Sequence, residues 1–288
     1  MERRVKGGIV TVIGVIIVLI ILLHPYLPHS SRENLDNHAK IIISENFGEK
    51  CVKTMEVKPG ESVIKTLEDN FNITTAYGGK FVTSIDGIKQ NATHFWFYYV
   101  NGILANVGAA DYIIHAGDVI RWDFHVWKRN EVIYAEIEDF PEPLLHGYGG
   151  HVYNTTIVYS ADYEKYAMEL KNYLTQMGVN VSVGNNVNKY ENVIILGYPK
   201  QANWINEKYR KFGWIYHVQD SFIIGPNGRY LGAFAQITQS PFNPRGLGAS
   251  ENVIIWIYAT DGPYMQRAIN DLENGKIDSF WYFTGEED

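Results

Sequence analysis

Hydrophobic periodicity changes character partway along the 288 residues, and an apolar repeat can serve only one kind of secondary structure at a time. Between residues 51 and 139 the pattern is mainly that of strands. Lys80–Ile85, His94–Val100 and Asp118–Trp127 read as strands, after one short helix in which Val63, Ile64 and Leu67 share a face. From Val152 to Asp288 strands alternate with helices instead. Thr156–Tyr159, Val179–Val183, Asn192–Gly197 and Asn252–Tyr258 are strand-like, and helical faces are carried by Tyr166, Ala167, Leu170 and Leu174 and by Met265, Ala268, Ile269 and Leu272. Such alternation predicts an α/β sheet covered by helices. Phe140-Pro141-Glu142-Pro143 and the glycine-rich 146–151 separate the two patterns and read as a linker over 140–151.

Local signals refine these elements. Asn101-Gly102 suits a two-residue hairpin turn, since both central positions of a type I′ turn need positive φ. Gly225-Pro226-Asn227-Gly228 marks a second hairpin. Asp162 and Asp261 stand where a carboxylate can cap a helix, a more economical role for each than catalysis. In Asp118–Trp127, Trp122, Phe124 and Val126 share one face, while Arg121, Asp123, His125 and Trp127 share the other. That predicts a strand with one solvated side.

The N-terminus predicts a membrane anchor. Gly7 to Leu23 is 17 residues without a charge, and the uncharged stretch continues to Leu27, close to the length of about 20 that a spanning helix needs. Arg3, Arg4 and Lys6 precede it, which puts the N-terminus in the cytoplasm and the bulk of the chain outside a single-pass cell membrane. Residues 1–27 then form a cytoplasmic tip and transmembrane anchor, and 28–50 a stalk. The fold class expected is an N-terminal transmembrane helix, a small β-rich α+β domain over 51–139, and a C-terminal α/β domain over 152–288. Four Asn-x-Ser/Thr sequons, at Asn72, Asn91, Asn154 and Asn180, fit glycosylation of an extracytoplasmic chain.

Charge and cysteine content remove other classes. A net charge of −7 argues against nucleic acid as a partner. The single cysteine, Cys51, excludes an internal disulfide framework and a multi-cysteine metal site. No phosphate loop, dinucleotide fingerprint or Gly-x-Ser-x-Gly elbow is present, so the chain is read as a non-enzyme. His94 and His125 each read as a lone, hydrogen-bonded histidine on a strand, and His146 and His151 have flexible spacing and no carboxylate partner, so none is assigned as a metal ligand.

Aromatic residues make up 14% of the sequence, and their densest run is Phe95-Trp96-Phe97-Tyr98-Tyr99. Rings on both faces of one strand either fill a core or meet a ligand. Together with Gly60-Glu61-Ser62-Val63, the stretch Tyr77–Ile88, Trp96–Gly102, Ala110-Asp111-Tyr112 and Gly117-Asp118, this run resembles the transcobalamin-like C-terminal domain over residues 57–127. The resemblance implies a small-molecule or glycan ligand, with cobalamin or a related corrinoid as the cofactor it suggests. Physically, Tyr77, His94, Trp96, Tyr98 and Tyr99 are the candidate ligand-binding residues. The helical barrel that completes the corrinoid site in that family has no counterpart here. In the second half Val193–Pro199, Ser240–Pro244 and Val253–Asp261 are similar to an α/β domain of archaeal surface-layer proteins, which implies cell-envelope proteins as partners. Two functions are therefore expected, a ligand-binding surface module or a structural envelope protein.

Overall fold

A computed structural model describes residues 37–127 and 132–288. The first sheet has five strands, and its construction begins before the expected domain. β1 (Ala39–Glu45) and β2 (Lys50–Val57) form an antiparallel pair within and beyond the stretch read as a stalk. The helix α1 (Val63–Asn70) follows; Ser62 caps it by accepting from the Lys65 amide, and Val63 and Leu67 are buried. β3 (Ile73–Ala76), β4 (Phe81–Ile85) and β5 (Ile88–Lys89) make a small antiparallel sheet of their own. β6 (His94–Val100), β7 (Ile103–Leu104) and β8 (Val119–Val126) return to the first sheet, whose order is β2-β1-β8-β6-β7. β6 and β7 are joined by Asn101-Gly102 with φ of 50° and 74°, the tight hairpin read from sequence.

α2 (Glu142–Leu145) lies within the Pro/Gly segment, with Pro143 and Leu144 buried. The second sheet comprises β9 (Thr155–Tyr159), β10 (Val181–Val183), β11 (Asn192–Leu196), β12 (His217–Gln219), β13 (Phe222–Gly225), β14 (Gly228–Gln239), β15 (Val253–Ala259) and β16 (Tyr282–Glu287). Its order is β10-β9-β11-β15-β14-β13-β12, with β16 also pairing β14. The β10-β9-β11-β15 half is parallel and the remainder antiparallel. α3 (Glu164–Met177) and α5 (Gly262–Glu273) bury their apolar stripes on one face, and α4 (Ala202–Glu207) lies on the other with Ala202 and Ile205. Gly178 ends α3 at φ 102°, the left-handed stop that glycine supplies without a Cβ clash.

The expected fold class is corrected. The described chain is a mixed α/β, sheet-rich fold, and among the described residues no helix is long and apolar enough to cross a membrane. α3, the longest described helix, has 14 residues, about 21 Å at 1.5 Å per residue, and Lys165, Glu169 and Lys171 lie outside its buried apolar stripe. The single-pass localisation and the membrane partnership rested on residues 7–27, which lie outside the described residues, and no described helix supports them.

A second correction concerns β8. Arg121, Asp123 and His125 are buried, as is Trp122 on the opposite side, so the strand has no solvated face over these residues. Residues 133–140 and Phe280 cover the polar side. Asp139 takes two hydrogen bonds from Arg121, Nε to Oδ2 at 3.1 Å and Nη2 to Oδ1 at 2.5 Å, and Tyr99 stacks edge-on to Phe280 at 5.1 Å.

Candidate functional site

The aromatic strand β6 divides its rings between two surroundings. Tyr99 is fully buried, and its hydroxyl donates to the Ile133 carbonyl at 3.2 Å. Burial pushes its phenol well above the ordinary range. Phe97, on the same side, stacks on His125 at 4.4 Å. These rings belong to the packing against residues 133–140 and Phe280.

Trp96 and Tyr98 point the other way and are 4% and 9% exposed. Trp96 Nε1 donates to the Ile88 carbonyl at 3.1 Å, and Tyr98 donates its hydroxyl to the Val107 carbonyl. Tyr98 also stacks on Trp122, centroids 5.0 Å apart. Their polar atoms are thus used within the fold, and what they offer outward is ring surface. That surface floors a groove of about 210 Å³, walled by Lys80, Phe81 and the small residues Ala105, Gly108 and Ala109.

The rim explains why the groove stays apolar to its mouth. Tyr77 has φ 53° and is followed by Gly78 and Gly79, also at positive φ, a turn that lifts the ring clear of the protein. Tyr77 is 84% exposed and Phe81 38%, and the two rings meet edge to face at 6.2 Å. Val107, on the loop that accepts the Tyr98 bond, is exposed as well. Lys80 adds one positive charge at the edge.

Of the five residues singled out from sequence, the groove gathers Trp96 and Tyr98, and Tyr77 reaches it through Phe81. Tyr99 is on the opposite side of the strand. His94 lies at the start of β6 beside Thr93 Oγ1, 2.9 Å from its Nδ1, and its ring is 5.7 Å from Phe124; it does not line the groove. Phe81 and Trp122 were missed. Phe81 alternates with Thr83 and Ile85, and that period alone could have put its ring on one face of β4. All four sequon asparagines are exposed, and Asn180 donates its side-chain amide to Asn154 Oδ1 at 2.8 Å.

Sequence reading also missed the polar cluster beneath β8. Arg121 is 2.9 Å from Glu138 Oε2 and 3.6 Å from Glu136 Oε1, besides its bonds to Asp139. Burial raises Glu136 well above the usual carboxyl range, with Asp139 adding to the rise against Arg121. Asp139 is held low, because Arg121 and the Glu136 hydrogen bond outweigh the upward push of burial. Asp123 accepts from Ser44 Oγ, from the Phe47 and Gly48 amides and from His125 Nδ1. Burial acts to raise it, but these bonds win and lower it. The cluster ties β1, β8 and the 136–139 segment together, with Glu136 Oε1 and Glu138 Oε2 buried and held by the charge of Arg121 without a hydrogen bond. Among the described residues no set of three or more His, Cys, Asp or Glu is arranged to hold a metal ion; His146 pairs with Glu142 at 2.5 Å.

The profile of a family described as a domain of unknown function (DUF4430) matches residues 60–126, the stretch that contributes every residue of the groove. No curated protein matches the chain. Among solved structures the chain is similar to a provisionally assigned metal-binding protein from Ruminococcus gnavus ATCC 29149, at 14% identity and TM-score 0.28, over 32% of this chain and 99% of that one. It is also similar to haptocorrin in complex with Cbi, at 17% identity and TM-score 0.27, over 35% of this chain and 28% of that one. These are weak similarities, and the chain spans little more than a quarter of haptocorrin's length. A resemblance of the second half to surface-layer proteins is not among these findings.

Proposed function

We propose that the protein is a small-ligand-binding module whose site is the aromatic groove over β4, β6 and the 105–109 loop, and that it binds without catalysis. The observation that carries this reading is the exposed Tyr77–Phe81 pair standing on the rim of a groove floored by Trp96, Tyr98 and Trp122. Exposed ring surface at the mouth of a groove marks a candidate binding site, and ring faces select a flat or weakly polar ligand face; the buried Trp122 Nε1 is one donor in the floor with no partner in the fold. At about 210 Å³ the groove is smaller than a typical enclosed site of about 300–1,000 Å³. It suits the edge of a larger planar or sugar-like ligand, the rest of which lies across Tyr77 and Phe81. A corrinoid and a glycan both meet that description. In support of a non-catalytic role, the Asp261 carboxylate is engaged in capping α5 through the Tyr264 amide at 2.9 Å.

Calorimetric titration with cobinamide, cobalamin and soluble oligosaccharides tests the proposal. One class is expected to bind saturably, and Tyr77→Ala and Phe81→Ala each to weaken it about three- to tenfold with unchanged thermal stability. Absence of binding by every class, or binding indifferent to both rim substitutions, would overturn it.

A further inference from the structure

The border of the aromatic groove carries two charges of opposite sign. Lys80 lines its edge and is exposed. On the loop that walls it, Asp111 is exposed as well, and its Oδ2 lies 3.2 Å from where a Cβ on Gly108 would stand. Burial first, then Tyr148 and Asp111, raise the Tyr98 phenol above its ordinary range, so the charge of Asp111 is felt at the floor. An anionic or a cationic ligand group therefore meets one favourable charge and one unfavourable one. A hydroxyl meets two favourable partners, because it donates to a carboxylate and accepts from an ammonium.

The rings narrow the choice further. Trp96, Tyr98 and Trp122 form an apolar floor, in which the buried Trp122 Nε1 is a donor with no partner in the fold. On the rim, Tyr77 and Phe81 stand at 74° to one another, so they offer no common plane on which a macrocycle can lie flat. At about 210 Å³ the groove has room for one six-membered ring and its substituents, less than the usual site of a drug-sized ligand. Successive rings of an oligosaccharide are turned against one another in the same way. Each presents C–H groups to the negative face of an aromatic ring and carries its hydroxyls around the edge.

We propose that the groove binds an oligosaccharide, one pyranose ring lying on Trp96 and Tyr98 with its hydroxyls on Lys80 and Asp111, and the next ring against Tyr77 and Phe81. This names the ligand class of the site proposed above and rests on that reading, with a corrinoid as the competitor.

The test is calorimetric titration of the full chain with cello-, malto-, manno- and chitohexaose, with their monosaccharides, and with cobinamide in parallel. At least one hexasaccharide is expected to bind saturably, about tenfold more tightly than its monosaccharide. Lys80→Met and Asp111→Asn, both at exposed positions, should each weaken it about three- to tenfold with unchanged thermal stability. Tyr77→Ala should remove most of the gain from chain length and leave the monosaccharide's affinity as it was. Binding of cobinamide alone, weakened by Tyr77→Ala and Phe81→Ala, would overturn this inference and leave the groove standing as a ligand site. A hexasaccharide that responds to the two rim substitutions but ignores Lys80→Met and Asp111→Asn would do the same. Binding by neither class would overturn both readings.

Discussion

Glu138 is the side chain whose surroundings make the sharpest claim about behaviour in solution. Its Oε2 lies against Gly48, where a Cβ would come within 1.8 Å of it, and 2.9 Å from Arg121. Burial pushes its carboxyl up to about 7, Arg121 opposes the rise, and Asp139 and Asp123 add to it. Between the ordinary 4.5 and about 7, the folded protein holds a proton that the unfolded chain has released. This group's stabilising contribution is therefore complete below about 4.5 and lost as pH rises through about 7. Urea unfolding at pH 5 and pH 8 should show the loss, up to about 3 kcal/mol, and Glu138→Gln should reduce it. An equal loss in both proteins would refute the assignment. Asn101 gives a second test. It is fully buried and donates to Asp118 Oδ1 and the Gly147 carbonyl while accepting from the Val119 amide. Asn101→Ala should cost about 2–4 kcal/mol in the same assay. The turn at Asn101-Gly102 was legible because its φ requirement is local. The bonds Asn101 makes were not, since Gly147 is 46 residues away.

Among the elements, the helix caps separate a correct expectation from a wrong one. Asp261 caps α5 through the Tyr264 amide, as its position before Gly262-Pro263 implies. Asp162 does not cap α3: it lies exposed in a 3-10 turn over Ala161–Tyr163, and α3 starts at Glu164 with no side-chain cap bond. Asp261→Ala should lower stability by about 1 kcal/mol, and Asp162→Ala by less than about 0.5 kcal/mol. Comparable losses at the two sites, measured by chemical denaturation, would contradict this. Strands show the same division. The alternation in β4 and β8 fixed which residues share a face, yet β8 buries both faces. A carboxylate-rich segment, Glu136 to Asp139, arrives from outside the sheet to pair with Arg121, and no period within the strand announces it.

At the scale of the described chain, the largest of three buried clusters spans both sheets. It runs from Ala39 and Ile41 of β1 through Leu170 of α3 to Tyr282 of β16. Phe280, fully buried, meets Tyr99, Phe47 and His125, while Gln239 of β14 donates to the Leu104 carbonyl at 3.0 Å. Thermal unfolding of residues 38–288 should be a single transition, coincident by near- and far-ultraviolet circular dichroism. Phe280→Ala should lower it by about 3–5 kcal/mol as one unit, and two separated transitions would refute the shared core. The sequence by itself determined the strand-rich first half, the strand–helix alternation of the second, the Asn101-Gly102 hairpin and the presence of rings on both faces of β6, because periodicity and φ preference act over a few residues. Only the tertiary structure decided that Tyr99 is core, that Trp96 and Tyr98 floor a groove with Phe81 at its edge, and that the outward side of β8 is covered. Those outcomes depend on which distant segment packs against a face, and burial by a non-local partner leaves no mark in the local pattern.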